Sequence, residues 1–154
     1  MESFKMILFR TSMRCGNYFM KKILIDLNII LDFLSKRKFH TEAAHLIDLC
    51  ITKTLTGYMC AHEVTTLSYF LLKEKGNSSK VINTIRDIMD IFIIIPINES
   101  ILREALLSPI PDYEDAVIDV SARTLQLDCI ITRNLSDFKL SRLPVYTPEA
   151  FLNF

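Results

Sequence analysis

Three short segments, Ile23-Leu24-Ile25, Ile91-Phe92-Ile93-Ile94-Ile95 and Cys129-Ile130-Ile131, are apolar at every position and rich in β-branched side chains. A strand with one wet face alternates apolar and polar residues. An unbroken apolar run belongs where both faces are covered. Such strands need helices on both sides of a parallel sheet, and the intervening sequence supplies them.

The order of elements follows from periodicity and punctuation. The first strand, 23–25, ends at Asp26, and a helix is predicted over 28–35. In 41–54, Ala43, Leu46, Ile47, Cys50 and Ile51 form one helical stripe behind a Thr41 N-cap. Gly57–Cys60 is a second strand, followed by helices over 61–75, ended by Gly76-Asn77, and over 78–90. The strand 91–95 is closed by Pro96. Asn98 caps a helix reaching about Leu107, and Pro109 and Pro111 break the chain. A helix over 113–126 precedes the strand 129–131. Pro144-Val145-Tyr146 is a last strand, and Thr147-Pro148 opens a final short helix. The fold class expected is α/β, a Rossmann-like three-layer arrangement around a parallel sheet of four or five strands.

Composition narrows the function classes. The 154 residues are 50% hydrophobic and 23% charged, which excludes a disordered chain. Lys+Arg and Asp+Glu are both 18, so no global basic field grips nucleic acid. With 3 glycines a Gly-rich phosphate loop is not expected. The 4 cysteines, Cys15, Cys50, Cys60 and Cys129, form no CxxC pair, and are read as reduced thiols of a cytoplasmic protein. The longest apolar run, Ile91 to Ile97, falls short of the ~18 residues of a membrane span, so no membrane partner is expected. Residues 1–19 are read as an N-terminal extension from a mis-assigned start codon, and 20–154 as the single domain.

Ligands of open parallel sheets bind beyond the carboxyl ends of the strands. Asp26-Leu27-Asn28 follows the first strand and Ala61-His62-Glu63 the second. Asp112-Tyr113-Glu114-Asp115, with Asp119 one turn on, opens the helix before the fourth strand, and Thr132-Arg133-Asn134, with Asp137 close behind, follows it. A helix that leads into a strand of the same sheet starts at this same end, so all these groups converge. Carboxylates about 4–6 Å apart repel by roughly 1–4 kcal/mol per pair at intermediate dielectric, which calls for a cation. Oxygen ligands suit Mg²⁺ or Mn²⁺ rather than zinc. Such a site serves phosphodiester hydrolysis.

These residues carry a resemblance. Ile-Leu-Ile-Asp-Leu-Asn (23–28), Asp-Tyr-Glu-Asp-Ala-Val-Ile (112–118), Ile-Ile-Thr-Arg-Asn (130–134) with Asp137-Phe138, and Pro-Val-Tyr-Thr-Pro-Glu-Ala-Phe (144–151) together resemble the PIN-domain family, which includes toxins of the VapC type. The resemblance implies a Mg²⁺- or Mn²⁺-dependent endoribonuclease, with RNA as substrate and an antitoxin as partner. Asp26, Glu63, Asp115, Asn134 and Asp137 are the expected catalytic residues. Asp26, Asp115, Glu63 and Asp119 are the expected metal ligands. The second acid of the family pattern falls in a slot nearer Thr66 than Glu63; the two share a helix face, so Glu63 can substitute there, and which of them occupies the slot stays open.

Each residue also has a structural role open to it. Asp26, Asp112 and Thr132 can cap helices or turns, and Asp115 can serve the helix dipole. Arg133 and the turn Lys36-Arg37-Lys38 can meet phosphate or simply face water. The apolar run Tyr69-Phe70-Leu71-Leu72 suits a core face plus a homodimer face. Two other functions stay open. An aspartyl-phosphate enzyme would also place an Asp at a strand end, but a dehalogenase-like phosphatase needs an acid where Asn28 stands. A receiver-like domain needs an Asp where Pro96 stands. A non-catalytic binding module on a degenerate PIN scaffold is the other reading.

Overall fold

The computed structural model describes residues 20–153. The N-terminal extension expected over 1–19, and Cys15 with it, lie outside the described residues.

The chain runs β1 (Lys22–Ile25), α1 (Leu27–Leu34), α2 (His40–Ile51), β2 (Thr56–Cys60), α3 (Ala61–Lys75), α4 (Ser78–Ile91), β3 (Ile93–Ile95), α5 (Glu99–Ala105), α6 (Tyr113–Thr124), β4 (Cys129–Ile131), β5 (Val145–Tyr146) and α7 (Pro148–Leu152). The five strands form one sheet in the order β3-β2-β1-β4-β5, and every neighbouring pair is parallel. This is a three-layer α/β/α domain.

Alternation along each strand builds two cores. Ile23 and Ile25 of β1, with Cys129 and Ile131 of β4, pack against α1, α2, α3, α4 and α7. Leu24 and Ile130 point the other way, against α5 and α6. Gly57 in β2 is required by close approach: a Cβ there would stand 2.7 Å from the Phe92 ring and 2.8 Å from the Cys50 sulfur. Cys50, Cys60 and Cys129 are free and buried. No helix among the described residues is long and apolar enough to cross a membrane.

Several boundaries differ from the sequence expectation. The strand expected over 91–95 loses its first two residues. Ile91 completes α4, and the Phe92 N–H donates to the Ile88 carbonyl at 2.9 Å. Val81, Ile85, Ile88 and Ile91 all pack on one core, so the helical stripe claims Ile91 before the strand begins. Thr41 does not cap α2. Phe39 occupies that position without a side-chain bond, and Thr41 lies in the first turn. The same helix stops at Ile51, where the Thr52 hydroxyl donates to the Asp48 carbonyl at 2.9 Å and Lys53 turns left-handed. The helix from Asn98 ends at Ala105 and that from Tyr113 at Thr124, before Gln126 takes φ 51°.

The sheet order places the reversal of direction at β1 and β4. β2 and β3 extend to one side of this pair and β5 to the other. In a parallel sheet the crevice opens at the carboxyl ends of the two strands flanking such a reversal. Asp26 and Thr132 are the residues that follow β1 and β4.

Candidate functional site

Asp26 is held by both of its neighbours in that crevice. Its N–H donates to the Ile131 carbonyl at 3.0 Å, so the backbone of β1 is tied to β4 at its last residue. The Thr132 hydroxyl donates to Asp26 Oδ2 at 2.6 Å, and the Asn28 side-chain amide donates to the same oxygen at 3.2 Å. Oδ1 caps α1 through the Asn28 N–H, at 3.4 Å. The capping role and the site role are therefore combined in one carboxylate, which is buried at 6% exposure.

Thr132 also accepts the Asn134 N–H at 3.0 Å, and the Asn134 carbonyl accepts the Asp137 N–H at 3.1 Å. This closes a tight turn that brings Asn134 and Asp137 to the end of β4. Asn134 is exposed and Asp137 half-buried, with the Ser136 hydroxyl donating to Asp137 at 3.0 Å.

Asp115 reaches the same place from α6. Asp112 caps that helix by accepting the Glu114 and Asp115 N–H groups at 2.9 and 3.2 Å. The Asp115 carboxyl itself has no hydrogen-bond or ion-pair partner among the described residues. It is half-buried, and desolvation followed by the charges of Asp112, Asp26, Asp137 and Glu114 pushes its pKa up to about 7. The charges of Asp26 and Asp137 thus both act on Asp115.

Glu63 stands beside this group in a different state. It is fully buried, and its two oxygens accept the Leu27 N–H at 2.8 Å and the Cys60 N–H at 2.9 Å. It thereby pins the end of β1 to the end of β2 and closes α3 in the manner of a capping box. Burial first, and the Asp26 charge second, raise its pKa to about 8 against the lowering effect of the two N–H donors. These bonds fit a brace beneath Asp26 better than a direct ligand. Thr66, three residues on, is only half-buried.

Asp119, expected among the metal ligands, is engaged elsewhere. The Ser141 hydroxyl donates to Oδ1 at 2.5 Å and Arg123 Nε to Oδ2 at 2.9 Å. Arg123 continues to Glu104 at 3.1 Å. Asp119 joins α6 to α5 and to the loop after Phe138, and it does not appear among the charges acting on Asp115.

Two features were not read from the sequence. Asp32, fully buried in α1, lies 2.9 Å from Arg133 Nε, so Arg133 is anchored rather than a free surface residue. The signal available was an acid inside the apolar run Leu-Asn-Ile-Ile-Leu-Asp-Phe-Leu. His62 Nε2 lies 3.7 Å from Glu114 at the rim, and burial lowers its pKa against the opposing Glu114 charge.

The donor set is one of oxygens. Among the described residues no group of three His, Cys, Asp or Glu side chains could hold a metal ion alone. Mg²⁺ does not need such a cage, because it keeps several waters and commonly takes one or two carboxylates plus substrate phosphate. An unpartnered Asp115 within the field of a fixed Asp26 fits that pattern.

Residues 22–136 match the family model of the PIN domain, and the chain belongs to the PIN-domain family. None of the curated proteins compared with the chain matches it. Solved structures share the fold. A toxin–antitoxin complex from Klebsiella pneumoniae is 24% identical with a TM-score of 0.62, over 82% of this chain and 97% of that one. FitAcB from Neisseria gonorrhoeae is 22% identical with a TM-score of 0.63, over 82% and 98%. VapC20 of Mycobacterium tuberculosis, described as a Sarcin-Ricin loop cleaving toxin, is 13% identical with a TM-score of 0.56, over 70% and 86%.

Proposed function

We propose that this PIN-domain protein is a Mg²⁺- or Mn²⁺-dependent endoribonuclease and the toxin of a toxin–antitoxin pair. The observation that carries the reading is Asp115, a carboxyl without a partner among the described residues, crowded by four other acids at the crevice of the sheet. A fold keeps such a group uncompensated where a cation or a reaction needs it. Membership of the PIN-domain family and the toxin–antitoxin complexes among similar folds support the same conclusion.

Asp26 and Asp115 are the residues that would hold the ion. The ion, when bound, would neutralise phosphate charge and lower the pKa of a bound water. Thr132 and Asn28 fix the orientation of Asp26, and Glu63 fixes the strand ends beneath it. Asp137 and the Asn134 amide, presented by their turn, position the attacking water. An antitoxin segment would cover this acidic end. The exposed Tyr69, Phe70 and Leu72 of α3 would form the face of a homodimer.

The test is a cleavage assay on mixed single-stranded RNAs, with Mg²⁺ or with EDTA. Wild-type protein is expected to cut only with metal, and Asp115→Asn not to cut. Metal binding without cleavage of any RNA, or no metal binding at all, favours the non-catalytic module. Trapping of a phosphoryl analogue on Asp26 favours the aspartyl-phosphate enzyme.

A further inference from the structure

Beside the acidic end lies a cavity of about 320 Å³ whose lining includes Phe39, Glu42, Arg133, Asn134, Pro148 and Glu149. It is contiguous with the site, since Arg133 and Asn134 directly follow Thr132, the residue that holds Asp26. The volume is at the low end of ligand pockets, which suits one planar ring system rather than a longer fragment.

The walls specify the ligand's chemistry. The Arg133 guanidinium is anchored on buried Asp32 at 2.9 Å, and its carbon lies 5.6 Å from the centroid of the Phe39 ring. Phe39 is 39% exposed with the Arg133 guanidinium over its ring, so an aromatic ring and a guanidinium stand together in the cavity wall. Glu42 and Glu149 line the cavity, and neither side chain has a hydrogen-bond or ion-pair partner among the described residues. Arg133 is ion-paired with Asp32, and the other charged residues of the lining, Glu42 and Glu149, are both acidic. Immediately outside stands the exposed turn Lys36-Arg37-Lys38, with Lys38 Nζ 5.3 Å from the Phe39 centroid. A stacking cavity that accepts N–H donors, next to a basic turn, matches single-stranded RNA, whose splayed bases stack on aromatic or guanidinium planes while cations follow the backbone.

We propose that this cavity receives a nucleobase adjoining the scissile phosphate, and that its preferred occupant is guanine; the proposal rests on the ribonuclease reading above. Guanine alone among the RNA bases presents two adjacent N–H donors, N1–H and the N2 amine, to the two oxygens of a carboxylate. Uracil presents carbonyls on either side of its single N–H, which the glutamates repel. The basic turn guides the flanking backbone.

The experiment is binding of fluorescent uridine pentamers carrying one central guanine, inosine or adenine, measured by anisotropy in EDTA. Cleavage of the same oligomers is followed in Mg²⁺. Inosine differs from guanine only by the missing N2 amine. Wild-type protein is expected to bind the guanine oligomer about tenfold tighter than the inosine one, as for a lost hydrogen bond to a charged group. The variant E42Q/E149Q, at one half-buried and one exposed glutamate, is expected to erase that difference. Phe39→Ala is expected to weaken guanine and adenine oligomers alike by about tenfold. If Phe39→Ala unfolds, the glutamate variant still decides.

Equal binding of guanine and inosine oligomers, a preference that survives in E42Q/E149Q, or no measurable binding of the guanine oligomer overturns the proposal. So does tighter binding of an arginine-rich peptide that is lost in E42Q/E149Q, which would assign the cavity to a protein partner. Guanine-selective binding without cleavage of any RNA would sink the ribonuclease reading and leave the cavity's base preference standing. Cleavage indifferent to the cavity variants would do the reverse.

Discussion

Asp115 and Asp119 are the same residue type on the same helix, four residues apart, and their surroundings are opposite. Asp119 is 3% exposed and each of its oxygens has a donor, from Ser141 and from Arg123. Asp115 is half-buried with no donor among the described residues, and every neighbouring charge that acts on it is negative. Buried acids that stabilise a fold are paired; an acid left crowded and unpaired costs stability and is retained for what it binds. One turn of α6 therefore separates a paired carboxylate from an unpaired one.

The largest expected effect separates the two in activity. Asp115→Asn, or Asp26→Asn, should lower Mg²⁺-dependent RNA cleavage by about a hundredfold or more, as when a metal site loses a carboxylate. Asp119→Asn should retain cleavage in any protein that remains folded. Equal losses in both variants would erase the distinction.

Stability should split the other way. Asp119→Ala takes one partner from Arg123, which keeps Glu104, and one from Ser141, which keeps Leu143, and should cost about 1–2 kcal/mol in chemical denaturation. Glu63→Gln places an amide N–H₂ against a backbone N–H of Leu27 or Cys60, and should cost roughly 1–3 kcal/mol for one buried unsatisfied donor. If Glu63→Gln abolishes metal binding without lowering stability, Glu63 is a ligand and not a brace. The smallest effect belongs to Thr132→Val. It removes one donor from Asp26 and one acceptor from Asn134, and should cost about 1 kcal/mol with a severalfold loss of cleavage.

How legible these differences were depends on how local their causes are. Asp26 and Asp115 could be placed together because continuous apolar strands dictate a parallel sheet, and strand ends and helix starts then share one edge. Asp119 lies on the helix face of Asp115, which periodicity shows. Its engagement with Ser141, 22 residues away, is decided by tertiary packing. Glu63 closes a capping box from a Cys-x-x-Glu sequence, without the Ser or Thr that marks such boxes, so its brace role was hidden. The Asp32–Arg133 pair joins α1 to the loop after β4, and nothing beyond an acid in an apolar helix announces it. Strand β3 was overextended because Ile91 satisfies both the strand pattern and the α4 stripe.

The pH dependence of the unmetallated protein follows from the same contrast. Asp115 is raised from 3.8 to about 7, so the folded state keeps a proton that the unfolded chain releases between those values. Stability should fall as pH rises through that window, and stay at the lower level above it. Glu63, raised from 4.5 to about 8, acts in the same direction over a similar range.

Thermal melting at pH 8 of wild type, Asp115→Asn and Asp119→Asn, each with EDTA and with Mg²⁺, tests the uncompensated carboxylate most directly. In EDTA, Asp115→Asn is expected to melt above wild type by roughly 2–4 °C per kcal/mol of relieved repulsion, and Asp119→Asn below it. Mg²⁺ should raise the melting temperature of wild type and of Asp119→Asn but not of Asp115→Asn. An Asp115→Asn protein that melts below wild type in EDTA, or gains as much from Mg²⁺ as wild type does, would contradict a cation site at Asp115.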